Sequence, residues 1–247
     1  MTKTIAITGK SGSGKTTIVK AFMNLLKEYF PDKSILLFDN DLTCELGFTF
    51  GLDIRNTIYG IRAGKHEYKT GIPSKMTKQE YIEWALEDIV VKLDDNTDII
   101  VSWLIASKDC RCPITKQIND ALLKLISHYD FVIFDCEFDL KYLYQLVDTN
   151  IDLALIISKP HRNSIELAKR IYEFSSKYAY NGQIGVVLNN AKEPYKNDIY
   201  ELLNECKLDI FGIIDHDENI DKSTKNSDKI KESLKNMYSR FNLPQNF

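Results

Sequence analysis

The chain has 247 residues, 44% of them hydrophobic, with a formal net charge of −3 and five cysteines. That size and apolar content suffice for one sizeable core, so a single domain over 1–247 is expected. The weak negative charge gives no electrostatic case for nucleic acid or stable membrane association, and no apolar run approaches the roughly 18 residues of a membrane span. An odd cysteine count without an apolar leader pattern predicts reduced thiols and a cytoplasmic location.

In chain order, a short apolar strand, Ile5-Ala6-Ile7, runs into Gly9-Lys10-Ser11-Gly12-Ser13-Gly14-Lys15-Thr16-Thr17 and then a helix over 18–26. The G-x-x-x-x-G-K-T spacing between strand and helix is that of a phosphate-binding loop. Its glycines permit positive φ and let successive backbone N–H groups turn toward phosphate oxygens, and the helix N-terminus adds a positive dipole end. Lys15 is expected to reach the β- and γ-phosphates and the Thr16 hydroxyl to ligate Mg²⁺. The next strand, over 33–39, is continuously apolar, as suits a parallel strand buried on both faces. It ends in Asp39-Asn40-Asp41, at the edge where open α/β sheets place ligands. Asp39 is expected behind Mg²⁺, and Asp41 is expected to orient the attacking water.

Residues 51–76 are punctuated by glycine and proline, which predicts turns, a short helix over 57–63 and a segment that moves with nucleotide state. Thr77 and Glu80 form a capping box. The helix they open has an apolar face of Tyr81, Ile82, Ala85, Leu86, Ile89, Val90 and Leu93, ended by Asp94-Asp95-Asn96; a strand follows over 98–103. In Cys110-Arg111-Cys112-Pro113, the proline marks a helix start and both thiols precede it with an arginine between them, a setting that favours thiolate. Residues i and i+2 of an extended chain share a face, so one metal ion could meet both sulfurs. A tetrahedral site needs four ligands, and a symmetric dimer would supply the other two.

The strand over 129–135 ends in Asp135, at the position of a Mg²⁺-side acid, followed by Cys136, a small strand-end residue. Strands over 151–158, 184–189 and 209–214 and helices over 164–180 and 198–206 complete the pattern. Seven strands alternating with helices predict an α/β fold, a doubly wound, mainly parallel sheet of seven to eight strands with helices on both faces. A terminal helix over 222–241, with Ile230, Leu234, Met237, Tyr238 and Phe241 on one face, is expected to pack on the core.

Lys10, directly after the first glycine, resembles the signature lysine of the deviant-Walker ATPases, which include MinD, ParA and the nitrogenase iron protein. The chain most resembles the CooC type, the ATPases that help insert nickel into carbon monoxide dehydrogenase. The resemblance is carried by the loop, by Phe38 to Gly47, by Arg55 to Arg62 and Ile72 to Tyr81, by Cys110-Arg111-Cys112, by Tyr129 to Phe138 and by Gly212 to Ile220. It implies a P-loop NTPase homodimer that binds ATP or ADP, with Lys10 reaching the partner's nucleotide and Asn189 contacting the base. It also implies Ni²⁺ or Zn²⁺ held by Cys110 and Cys112 at the dimer interface, for delivery to a carbon monoxide dehydrogenase-like client. The alternative is a positioning ATPase of the MinD or ParA type, or a nucleotide-gated regulator. Leu42, Asp139 and Asp215 replace residues of the pattern, and Ser11 replaces a loop glycine, which implies slow hydrolysis.

Overall fold

The continuous apolar runs form the interior of one eight-stranded sheet, seen in a computed structural model that describes residues 1–54, 56–62, 72–73, 75–103, 113–137, 140–147, 149–177, 182–191, 197–216 and 234–235. The strands are β1 (Lys3–Gly9), β2 (Ile35–Asn40), β3 (Val91–Asp94), β4 (Thr97–Val101), β5 (Phe131–Cys136), β6 (Leu153–Ser158), β7 (Gln183–Ala191) and β8 (Ile210–Asp215). The helices are α1 (Lys15–Tyr29), α2 (Glu45–Thr49), α3 (Ile58–Arg62), α4 (Lys78–Asp88), α5 (Pro113–Ile126), α6 (Leu140–Leu146), α7 (Arg162–Ser175) and α8 (Asn197–Cys206). The order across the sheet is β3-β4-β2-β5-β1-β6-β7-β8. Every neighbouring pair is parallel except β3 with β4.

Alternation along the strands divides the core between two faces. Ile5, Ile7, Ile35, Leu37, Ile133 and Leu155 pack with α1 on one side. Ala6, Leu36, Phe38, Val132 and Phe134 pack with residues of α3, α4, α5 and α6 on the other. The outer part of the sheet, Ile156, Val186 and Leu188, is covered by residues of α7 and α8. Because both faces are covered, the central strands carry apolar residues at successive positions, which is why they read so clearly. The chain builds outward on one side of β1 and, from β6, on the other. The carboxyl end of β1 is therefore the topological switch point where such sheets bind ligands.

Three elements depart from expectation. The helix opened by the Thr77–Glu80 capping box stops at Asp88, with Ile89 as its C-cap. Val90 and Leu93 do not continue its apolar face: Val91–Asp94 is the antiparallel strand β3, and Asp95-Asn96 form the turn of a hairpin into β4. The β-branched Val90-Val91 pair disfavours continued helix, and Asp and Asn supply the turn. The short helices α2 and α6 are also additional. α3 realises the helix expected over 57–63, and Pro113 opens α5 as its position suggested. Cys110, Arg111, Cys112 and Asp139, most of the segment over 63–74 and most of the C-terminal stretch over 222–241 lie outside the described residues. Within that stretch Leu234 is buried in the α1 cluster, and Lys235 lies 3.6 Å from Glu28 and over the Tyr29 ring. Among the described residues no helix is long and apolar enough to cross a membrane.

Candidate functional site

The turn from β1 into α1 needs backbone conformations that only glycine adopts cheaply. Gly9 and Gly14 have φ of +143° and +95°. A Cβ on Gly9 would lie 2.2 Å from the Ile157 carbonyl oxygen of β6, so that position also requires close backbone approach. Gly14 is the N-cap of α1, and no side chain caps the helix. Its first-turn N–H groups therefore remain available to an anion.

Lys15 and Thr16, the first residues of α1, are buried and face the carboxyl ends of β2 and β5. Thr16 Oγ1 donates to Asp135 Oδ2 at 2.9 Å. Lys15 Nζ lies 3.8 Å from Asp41 Oδ2, with both side chains nearly excluded from solvent. Parallel register sets Asp39 beside Asp135 across β2 and β5. The sheet thus brings Lys15, Thr16, Asp39, Asp41 and Asp135 to one place. Lys10 is exposed and forms no ion pair with any described residue. Asn189, at the end of β7, donates from Nδ2 to the Ser13 carbonyl at 2.8 Å and fills the space beside Gly14.

Asp39 organises the loop that carries Asp41. Its oxygens accept from the Asp41 N–H at 3.2 Å and the Gly47 N–H at 2.8 Å. Asp41 Oδ1 accepts from the Thr43 N–H and hydroxyl at 2.8 and 2.7 Å, which leaves Oδ2 toward Lys15. The sequence assigns Thr43 and Gly47 no role of their own, and nothing in the local pattern marks the bond from Gly47 to Asp39 on the preceding strand. Burial pushes Asp39 up to about 6, against the backbone bonds from Gly47 and Asp41. Burial also pushes Asp135 up to about 7, opposed by the Thr16 hydrogen bond and reinforced by the Asp39 charge. The Cys44 thiol is pushed up to about 12 by burial and then by Asp39 and Asp41, so it stays protonated. Cys136 is fully buried in the α3–α6 cluster.

A carboxyl group whose folded pKa is raised contributes stability that is present below its unfolded value, 3.8, and is lost as pH rises through about 6 to 7. The nucleotide-free protein is therefore expected to lose melting temperature between pH 5 and pH 8. Asp135→Asn, which can still accept from Thr16, should flatten that loss by several degrees, on the scale of ~2–4 °C per kcal/mol. Parallel melting curves for both proteins check this; coincident pH profiles would contradict it.

Asp135 Oδ1 is buried with no hydrogen-bond partner. An orphaned carboxylate oxygen beside a phosphate-loop hydroxyl fits a hydrated divalent cation. Among the described residues no group of three or more His, Cys, Asp or Glu is arranged as a metal cage. The donor set suits Mg²⁺, which keeps its waters and is met by one or two protein groups and phosphates.

A parallel sheet with this loop, lysine, threonine and pair of strand-end acids at its switch point defines a phosphate-loop nucleotide-binding protein. The model of the CobQ/CobB/MinD/ParA nucleotide-binding domain family matches residues 4–230, and the chain belongs to that family. It is 28% identical to an uncharacterized ATP-binding protein of Methanocaldococcus jannaschii over 87% of this chain and 85% of the relative. It is 24% identical to the septum site-determining protein MinD of Bacillus subtilis over 97% of this chain and 85% of that protein. MinD of Pyrococcus horikoshii, solved with Mg-ADP, superposes with a TM-score of 0.67 at 19% identity, covering 98% of this chain and 96% of that one. The narrower resemblance to nickel-insertion ATPases rests on the sequence motifs alone.

Proposed function

We propose that the protein is a Mg²⁺-dependent ATPase that cycles between monomer and nucleotide-bound homodimer. The observation that carries this is the buried Lys15–Asp41 pair beside Thr16 and Asp135. Gly9, Lys10, Ser11, Gly12, Ser13, Gly14, Lys15, Thr16 and Thr17 form the phosphate-binding loop. Its amides and Lys15 stabilise charge on the β- and γ-phosphates in a site that excludes water. When bound, Mg²⁺ would be held by Thr16, with Asp39 and Asp135 behind it, and would neutralise charge on the phosphate oxygens. Lys15 leaves Asp41 for the incoming phosphate, which frees the Asp41 carboxylate to hold and orient the attacking water. Lys10, exposed on the loop, would reach a second protomer's nucleotide, in the manner of an arginine finger. ATP as substrate is supported by the ATP-binding relative. Hydrolysis of ATP that requires added Mg²⁺ tests the enzymatic reading; its absence at every Mg²⁺ concentration would end it.

The output of the cycle has two readings. Delivery of Ni²⁺ or Zn²⁺ to a carbon monoxide dehydrogenase-like client is supported by Cys110-Arg111-Cys112, between β4 and α5. That connection starts from the carboxyl edge: Ser102, just after β4, donates its hydroxyl to Asn40 at 2.9 Å. Positioning of a partner, as a MinD- or ParA-type ATPase, is supported by the family and by the likeness to MinD. Metal analysis of the ATP-bound dimer decides between them. Cargo delivery predicts one metal ion per dimer in wild type and loss of that metal in Cys112→Ser, which removes ligands from a site that needs four. Equal metal content in both proteins would remove the cysteine site and leave the positioning reading.

A further inference from the structure

Two ladders hold β2, and both stop just short of Asp41. On the β5 side the last register pair is Asn40 with Cys136, and on the β4 side it is Asp39 with Val101. Asp41 then leaves the sheet. A carboxylate that orients a water needs a backbone held within a fraction of an ångström.

Side chains from the two neighbouring strands take over where the ladders end. Ser102, buried just after β4, gives its N–H to the Asp39 carbonyl at 2.8 Å and its hydroxyl to Asn40 Oδ1 at 2.9 Å. Its own carbonyl accepts from the Tyr59 N–H at 3.1 Å, which ties Ser102 to α3. Glu137, half-buried just after β5, accepts the Leu42 N–H on its carboxylate. Burial pushes the Glu137 carboxyl above the usual range, with the Asp41 charge reinforcing and Lys15 opposing, so it lies within electrostatic reach of both. The residues before and after Asp41 are thus each held by a side chain from a different strand.

These ties matter most once nucleotide is bound. In the free protein Asp41 also has Lys15 at 3.8 Å. When Lys15 turns to the phosphates that hold is lost, and the Thr43 bonds orient the Asp41 carboxylate only relative to its own loop. Asp39 anchors the loop at the Asp41 N–H and at Gly47. Ser102 and Glu137 add the anchors on either side of Asp41. We propose that Ser102 and Glu137 are positioning residues for hydrolysis, holding Asn40 and Leu42 so that Asp41 keeps its geometry after Lys15 has left it. This rests on the reading of Asp41 as the water-orienting group. Both residues act through Asp41, so their loss costs rate and not affinity.

The test is single-turnover hydrolysis at saturating Mg-ATP, with ATP affinity measured alongside. The variants are Ser102→Ala, Glu137→Ala and Glu137→Gln, each alone and combined with Asp41→Asn. Each alanine variant should slow hydrolysis about 10- to 100-fold, the cost of a misplaced group, while ATP affinity stays within about threefold. Glu137→Gln keeps an acceptor for the Leu42 N–H and should recover most of the rate. In the Asp41→Asn background neither alanine should slow the residual reaction further, because the group they position is gone. An unchanged rate in either alanine variant would overturn the proposal. So would Glu137→Gln as slow as Glu137→Ala, since the charge and not the bond would then matter. Equal rate losses with and without Asp41, or affinity that falls with the rate, would make both residues general supports of the site and also overturn it. Wild type without hydrolysis, or Asp41→Asn at the wild-type rate, would overturn the reading of Asp41 beneath it. If Glu137→Ala does not fold, Leu42→Pro deletes the same bond from the donor's side and carries the same expectation. Leu42 is the second residue of the turn closed by the Cys44 N–H on the Asp41 carbonyl at 3.1 Å, a position that suits proline.

Discussion

Replacing Lys15 by alanine should lower ATP affinity about 100-fold and abolish ATP-dependent dimer formation. The lysine is buried, pairs with Asp41 and acts by its charge on Asp135. Charge-assisted hydrogen bonds to phosphate are each worth ~1.5–3 kcal/mol, or roughly 10- to 150-fold in binding. The variant also leaves the acid cluster without its cation, so the triphosphate would meet uncompensated negative charge. Calorimetric titration with ATP measures the affinity loss, and sedimentation velocity measures the dimer. A variant that binds ATP within a few-fold of wild type would place the phosphates elsewhere. A melting curve without nucleotide separates this from unfolding, since removing one partner of a buried pair also costs stability.

Asp41→Asn is expected to separate binding from hydrolysis. Asparagine keeps the shape and can still accept from Thr43 through Oδ1, so the loop held by Asp39 and Gly47 should persist. Losing the carboxylate removes the group that orients the water, a contribution of about 10²–10⁴-fold in rate. Removing a negative charge beside the phosphates should leave ATP affinity equal or somewhat higher. Single-turnover hydrolysis and equilibrium binding measure the two effects. A loss of binding with hydrolysis intact on the bound fraction would reverse the assigned roles.

The site was legible in the sequence wherever chemistry dictates spacing. Gly9, Gly14, Lys15 and Thr16 stand at fixed offsets because phosphate contact requires backbone amides, a lysine and a hydroxyl in that order. Asp39 and Asp135 were legible because each ends an apolar run, and parallel register then set them side by side. What escaped notice depends on distant contacts. The helix α2 begins after Cys44, a residue at φ +50°, and is held by Gly47 bonding back to Asp39 on β2. No window around residues 44–49 contains that bond. Val90 and Leu93 fit a helical face as well as a strand, so the β3–β4 hairpin was hidden until pairing with Ile99 and Thr97 selected the strand. Asn190, at φ +62°, interrupts the β7–β8 register and pairs with His216, 26 residues later, whereas the Asn189-Asn190 pair alone marks only tolerance of a left-handed residue.

The central claim is that this phosphate loop, with Lys15 and the strand-end acids, turns ATP binding into a dimer. Sedimentation velocity of Asp41→Asn with Mg²⁺ tests it most directly, because hydrolysis cannot empty the site during the run. A stable dimer with ATP and a monomer with ADP is the predicted result. A sedimentation coefficient identical with ATP, with ADP and without nucleotide would contradict the account.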